Sequence, residues 1–280
     1  MKLASHRYGK ARVRVAKIFR EQDRQSIKQI EVMALLQGDF ESSYIAGDNR
    51  KVVPTDTIKN TINVLAKDQL GEEIEQFAIV LGEHFLRCYE QVRTARIDIS
   101  ERDWHRMNID GKPHPHSFEA GSEAKMFTRV VCTRESQTVE SGIRDFVILK
   151  STASGFENYP KDEFTTLPET SDRILATSLV ATWTFSKKPA SYRDINEKLI
   201  GTMLKIFATN YSPSAQTTLF QMGSAALEAC PEISRVEIAM PNKHYLLVDL
   251  APFGRENKNE VFTPTDEPHG QIEAVVTRDG

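Results

Sequence analysis

The spacing of apolar residues changes period several times along this chain. In "ARVRVAKIFR" (11–20), Val13, Val15, Ile18 and Phe19 stand against Arg12, Arg14 and Lys17. "QIEVMALLQGDF" (29–40) alternates more loosely. A period of two predicts half-buried antiparallel strands. In "VVPTDTIKNT" (52–61), the β-branched pair Val52-Val53 reads as a strand end broken by Pro54, with Thr55 and Asp56 as helix-capping residues. From Thr57 the period lengthens, and Ile58, Ile62 and Leu65 lie at helical spacing. After Gly71, the positions Ile74, Phe77, Ala78, Leu81, Phe85, Cys88, Tyr89 and Val92 predict an amphipathic helix of about five turns. Strands return at 96–100, 117–121 and 125–135.

The second half repeats this order. Strands are predicted at 145–152 and within 174–185, helices at 194–208 and 214–229, and strands again at 235–240 and 244–250. Each half therefore reads as two strands, helices, and two strands, an α+β pattern that suggests duplication. "TDTIKNT" (55–61) and "SDRILAT" (171–177) align at a shift of 116 residues, with Asp56/Asp172, Ile58/Ile174 and Thr61/Thr177 identical. The polar stretch "RESQTVESG" offers a cut near residue 138. It separates an N-terminal unit, 1–138, from a C-terminal unit, 139–280.

Composition narrows the functional classes. The 280 residues are 40% hydrophobic and 27% charged, ordinary for a soluble chain. A net charge of −3 gives no global basic field to attract nucleic acid. No apolar run reaches the roughly 20 residues of a membrane span, and the charged start has no signal-peptide core. Three widely spaced cysteines (Cys88, Cys132 and Cys230) argue against a disulfide framework and for a reducing compartment, so the cytoplasm is expected. No Cys-x-x-Cys pair suggests a thiolate zinc site, and neither a dinucleotide glycine fingerprint nor a P-loop is present.

Polar residues gather where helices are expected to start: Thr55-Asp56, Ser171-Asp172-Arg173 and "SPSAQ" (212–216). A helix start has unpaired N–H groups and partial positive charge, and so can seat an anion. Plain capping explains each one taken alone. Their company changes the picture. Arg173 offers a planar fork, Gln216 a donor and an acceptor on one amide, and Phe156 a flat stacking face. Together they suit a flat anionic ring with mixed donor and acceptor edges, such as an oxidised purine.

"YGK" (8–10), "VVPTDTIKNT", "DGKPHPHSF" (110–118), "DEFTTLPETSDRILAT" (162–177), "SPSAQ" and "PNKHY" (241–245) resemble the urate oxidase (uricase) family in residue type and order. The resemblance spans residues 8–245, and the tail "VVTRDG" lacks a peroxisomal Ser-Lys-Leu, which is similar to bacterial members. It implies two tandem tunnelling-fold (T-fold) units, each an antiparallel sheet with helices on one face. It further implies a homotetramer around a tunnel, with active sites shared between subunits. Carried over by motif, Arg173 and Gln216 grip the purine edge, Phe156 stacks on it, and N–H groups near Thr55, Asp56 and Ala215 complete the in-plane contacts. Lys10, Thr55 and His244 form a proton relay, and Asn242 holds O₂ and later water. Ala215 is smaller than the aliphatic residue of some relatives, which loosens the pocket wall and spares a backbone contact.

The implied reaction takes urate, O₂ and water to 5-hydroxyisourate and hydrogen peroxide, with no cofactor and no metal. Thr55 alone is too weak a base, so a lysine must accept through it and His244 must orient that lysine or pass the proton on. His114-Pro115-His116 with Asp110 nearby offers an incomplete ligand set, better read as structural hydrogen bonding. Two rivals are a metal-dependent pterin or purine enzyme, which chelators would silence, and a non-catalytic purine-binding protein, which would take up no O₂.

Overall fold

In a computed structural model the structure describes residues 1–278. Internal contacts divide the chain into two compact units. One holds Met1–Ile143 with Lys188–Arg193; the other holds Arg144–Lys187 and the chain from Asp194 on. This division falls at 143/144, five residues beyond the cut drawn at 138, and it assigns the short segment 188–193 to the first unit.

The first unit opens with the hairpin β1 (Tyr8–Glu21) and β2 (Arg24–Gly38). A short α1 (Glu41–Ile45), then α2 (Thr55–Gln69) and α3 (Ile74–Cys88), lead to β3 (Val92–Arg102). A separate hairpin, β4 (Trp104–Ile109) and β5 (Lys112–Ala120), precedes β6 (Lys125–Thr133). The sheet order is β1-β2-β3-β6, antiparallel throughout. β7 (Gln137–Lys150) follows and straddles the division.

Burial follows the periodicity. Ile30, Val32, Ala34 and Leu36 of β2 are buried on the sheet face that also presents Ala95, Ile97 and Ile99 of β3. Ile58, Ile62 and Ala66 of α2, and Phe77, Ala78, Leu81 and Phe85 of α3, lie against that face. Gly82 permits the closest approach: a Cβ there would stand 2.5 Å from the Cys132 Sγ. The buried Glu75 carboxylate takes a hydrogen bond from Ser141 Oγ at 2.6 Å.

The second unit continues with β8 (Leu175–Phe185), α4 (Tyr192–Thr209), α5 (Ala215–Ala229), β9 (Ile233–Ala239), β10 (Asn242–Leu247), β11 (Phe262–Gly270) and β12 (Glu273–Thr277). β9 and β10 run along β8 in succession, interrupted at Met240-Pro241, where proline cannot donate to the ladder. β12 pairs with β9 and β11 with β10. Two broken strands thus complete a sheet beside β7 and β8, so each unit reads strand, strand, helices, strand, strand. Trp183 is fully buried, and its indole N–H reaches Asn196 Oδ1 of α4 at 2.9 Å.

Three expectations need correction. Val52-Val53 is no strand end: β2 stops at Gly38, and the pair is irregular chain, with Val53 N–H bound to the Tyr8 hydroxyl at 2.7 Å. The periodic run of α3 stops at Cys88, because Val92 already begins β3 and owes its burial to the sheet. Ser171-Asp172-Arg173 is no helix start. It leads into β8, so the alignment of 55–61 with 171–177 pairs a helix with a strand entry. The Asp172 carboxylate closes a loop instead, accepting from Thr152 Oγ1 at 2.8 Å and Ala153 N–H at 3.0 Å. Both functions suit the same small polar residues, so sequence alone did not separate them.

Candidate active site

In the first unit, Lys10, Thr55 and Asp56 come together where β1 meets α2. Lys10 sits opposite Ala34, immediately before a bulge: the register slips by one residue between Lys10 and Val13, and Arg12 takes φ +57°. The irregular residues are Ala11 and Arg12, and Lys10 is the last regularly paired residue before them. Thr55 and Asp56 are the first two helical residues of α2, one position later than caps. The N-cap position is Pro54, which supplies no side-chain acceptor, so no side chain caps the first N–H groups. Asp56 binds its own helix through Lys59 and, at 3.0 Å, Asn60. The Lys59 bond above all, with smaller help from Asn60 and from the charge of Lys10, holds the Asp56 carboxyl below the usual carboxylate range. Thr55 is exposed and its hydroxyl is free of any cap.

In the second unit a frame of main-chain bonds gathers the remaining residues. Gly155 N–H donates to Ser212 O at 2.8 Å, and Ser212 N–H to Ala153 O at 2.9 Å. Phe156 and Thr170 exchange two backbone bonds, at 2.7 and 3.1 Å, and Arg173 N–H reaches Ser154 O at 2.7 Å. The loop bearing Phe156, the entry to β8 bearing Arg173, and the chain entering α5 are thereby fixed to one another. Gly155 is required there, because a Cβ would lie 2.3 Å from the Tyr211 hydroxyl and 3.0 Å from Thr170 O.

Phe156 stacks on Tyr159, with centroids 4.8 Å apart and planes 15° off parallel. The Arg173 guanidinium carbon lies 5.3 Å from the Phe156 centroid. Among the described residues Arg173 makes no ion pair, and its buried Nε has no hydrogen-bond partner. Burial pushes its pKa down from the ordinary arginine value, the direction expected for a cation short of compensation. Ala215, buried, opens α5, with exposed Gln216 next to it. Ser214 caps the helix by accepting from Thr217 N–H at 3.1 Å, which leaves the N–H groups of Ala215 and Gln216 outside that bond.

Asn242 and His244 stand at the start of β10, half-buried, Asn242 between Thr177 of β8 and Gly270 of β11, His244 opposite Thr265. The pairing with β11 shifts register between them. The residues from sequence thus gather into two sets, one per unit. Tyr159 behind Phe156, and Ser154 and Ser212 in the frame, escaped notice; nothing in their sequence setting separates them from loop residues. His114 and His116 stack edge to face on β5, with centroids 4.5 Å apart, and among the described residues no three His, Cys, Asp or Glu side chains form a metal-holding group.

The uricase family model matches residues 6–131 and 139–273, one stretch for each residue set. The chain belongs to the uricase family. It is similar to the uricase of Arthrobacter globiformis, 39% identical over 99% of this chain and 90% of that protein. It is also similar to the uricase of Arabidopsis thaliana, 41% identical over 97% and 94% of the two chains. A crystal structure of the Arthrobacter globiformis uricase superposes with a TM-score of 0.95 at 38% identity, covering 100% of this chain and 96% of that one.

Proposed function

We propose that this chain is a urate oxidase whose two residue sets bind urate and manage its protons while O₂ takes its electrons. The observation that carries the division of labour is Arg173, a half-buried cation with no acid partner among the described residues, held beside the face of Phe156. Family membership over nearly the whole chain supports the activity.

In this reading the Arg173 fork and the Gln216 amide bind the in-plane polar edge of urate, and Phe156, backed by Tyr159, stacks on its ring. The uncommitted N–H groups at the starts of α5 and α2 take the remaining in-plane acceptors. Lys10 accepts a proton through the Thr55 hydroxyl, and His244 carries it onward. The ring, richer by that electron pair, gives two electrons to O₂ held by Asn242. Water then adds at the carbon left electron-poor. The balance is urate plus O₂ plus H₂O giving 5-hydroxyisourate plus H₂O₂. The protein contributes positioning and electrostatics. Because the two sets belong to different units, the active form is read as a homotetramer in which the first unit of one chain meets the second unit of a neighbour. No helix among the described residues is long and apolar enough to cross a membrane, and the working compartment is read as the cytoplasm.

The test is stoichiometry. Chelator-treated protein should consume urate and O₂ one for one and release one peroxide. Turnover without peroxide, or activity lost to chelation and restored by a metal, would overturn the assignment.

A further inference from the structure

Thr177 lies in β8 directly opposite Asn242 of β10. Cross-strand partners point to the same face, with Cβ atoms about 4.5–5.5 Å apart. Thr177 is 1% exposed, and its Oγ1 has no hydrogen-bond partner. On the other flank of Asn242 stands Gly270, which places no side chain beside it. The Asn242 carboxamide makes no side-chain hydrogen bond among the described residues. A buried hydroxyl able to donate and to accept therefore adjoins an amide whose two ends are otherwise undirected.

We propose that Thr177 is a positioning residue for Asn242, fixing which end of its carboxamide faces the oxygen species; this rests on the reading of Asn242 as the O₂- and water-holding group. The chemistry demands one orientation. Oxygen gains negative charge as it accepts electrons, so the Asn242 Nδ2–H₂ must face it and the Oδ1 must turn away. Thr177 Oγ1 and the Asn242 carboxamide are cross-strand neighbours that are not bonded to each other in the ligand-free chain; on binding of the oxygen species, the hydroxyl donating to Oδ1 would select that orientation. A flipped amide would present a carbonyl to a developing anion. Gly270 offers no competing group, so the choice falls to Thr177. A buried hydroxyl left unpaired is otherwise a liability in the core.

The experiment compares Thr177→Val, Thr177→Ser and Asn242→Ala in the full chain. Melting temperature, anaerobic urate affinity, and kcat/KM for O₂ at saturating urate are measured for each. Thr177→Val, near-isosteric and without the hydroxyl, should keep or raise the melting temperature and leave urate affinity within about twofold. It should lower kcat/KM for O₂ about tenfold, the size expected for one directed hydrogen bond. Thr177→Ser should restore most of that loss. A purely structural role predicts the stability change without the oxygen effect, so wild-type oxygen kinetics in Thr177→Val overturns the proposal. Should that variant not fold, Thr177→Ala against Thr177→Ser makes the same comparison. If Asn242→Ala impairs oxygen kinetics and the valine variant does not, the positioning role alone falls. If Asn242→Ala is itself unimpaired, the reading of Asn242 falls and takes the proposal with it.

Discussion

Replacing Arg173 separates ligand recognition from folding, because the described residues offer this side chain no acid partner. Its Nε is buried and unpaired, and burial disfavours its charge. The Phe156 ring lies 5.3 Å from its guanidinium carbon. Removing the guanidinium thus deletes little that holds the ligand-free fold together. Arg173→Met, similar in length and apolar, should melt no lower than the parent without urate. Binding is another matter. A hydrogen bond to a charged group contributes about 1.5–3 kcal/mol, and every 1.4 kcal/mol is about tenfold in affinity. Arg173→Lys keeps the charge and loses the planar fork, so anaerobic urate affinity should fall roughly 10- to 150-fold. Withholding O₂ stops turnover, which makes a thermal-shift titration under nitrogen a true equilibrium assay. Urate at 100 times its Kd stabilises the parent by about 2.7 kcal/mol; a variant binding about 100-fold more weakly gains only about 0.4 kcal/mol at the same concentration. The urate-dependent shift should fall to about half or less in Arg173→Lys and nearly vanish in Arg173→Met, while their ligand-free melting points stay put. An undiminished shift in Arg173→Lys would refute the fork. A collapse of ligand-free stability in Arg173→Met would show that the guanidinium serves the fold.

Three further outcomes follow from the same geometry. Thr55→Ala and Lys10→Met should each lower kcat about 10²- to 10⁴-fold with little change in anaerobic urate affinity; under the proposed sharing of sites between chains, mixing Lys10→Met and Arg173→Met chains, each inactive alone, should recover activity, and no recovery on mixing would argue against sites shared between subunits. Gly155→Ala should lose about 1–3 kcal/mol of stability and weaken urate binding, since its methyl group meets Thr170 O as well as the Tyr211 hydroxyl that holds Ser171 O at 3.0 Å; parental melting and KM would show that the loop yields more easily than its contacts imply.

Much of the fold was legible because burial leaves a period. The buried faces of β2, α2 and α3 carry that period, and their elements were predicted in place. β11 and β12 left none: β11 is largely exposed and contains Pro264 and Pro268, so its strand character comes from pairing with β10 rather than from a buried face. The β4-β5 hairpin was read only in its later part, although Asp110 and Gly111, both at positive φ, are the two-residue turn such hairpins favour. The site was legible in residue type, through the family's motifs. Its arrangement was not. That Asp172 closes a loop and that Thr177 faces Asn242 are consequences of pairing between segments 19 to 65 residues apart, and that Tyr159 backs Phe156 is local loop geometry; no local pattern encodes them.

Where the fold leaves polar groups unmet is itself informative. Most deeply buried polar side chains find partners: Thr218 bonds Ser212 at 2.6 Å, Thr128 bonds Glu140 O at 2.8 Å, and Ser141 bonds Glu75. The exceptions among the described residues are Ser154 Oγ, Arg173 Nε and Thr177 Oγ1. All three fall between residues 154 and 177, the stretch that carries Phe156 and enters β8 opposite Asn242. Each such group costs about 1–3 kcal/mol when it stays unpaired. A chain selected for stability alone would replace them with apolar residues of like shape, and nothing in the local packing requires a guanidinium beside Phe156. Their concentration in one segment fits the proposed urate site, in which Arg173 meets the anion and Thr177 meets the Asn242 carboxamide. It follows that urate should stabilise this protein disproportionately through the 154–177 segment. Hydrogen exchange under nitrogen would test this: slowing should centre on that loop and the start of α5, and protection spread evenly over both units would count against it.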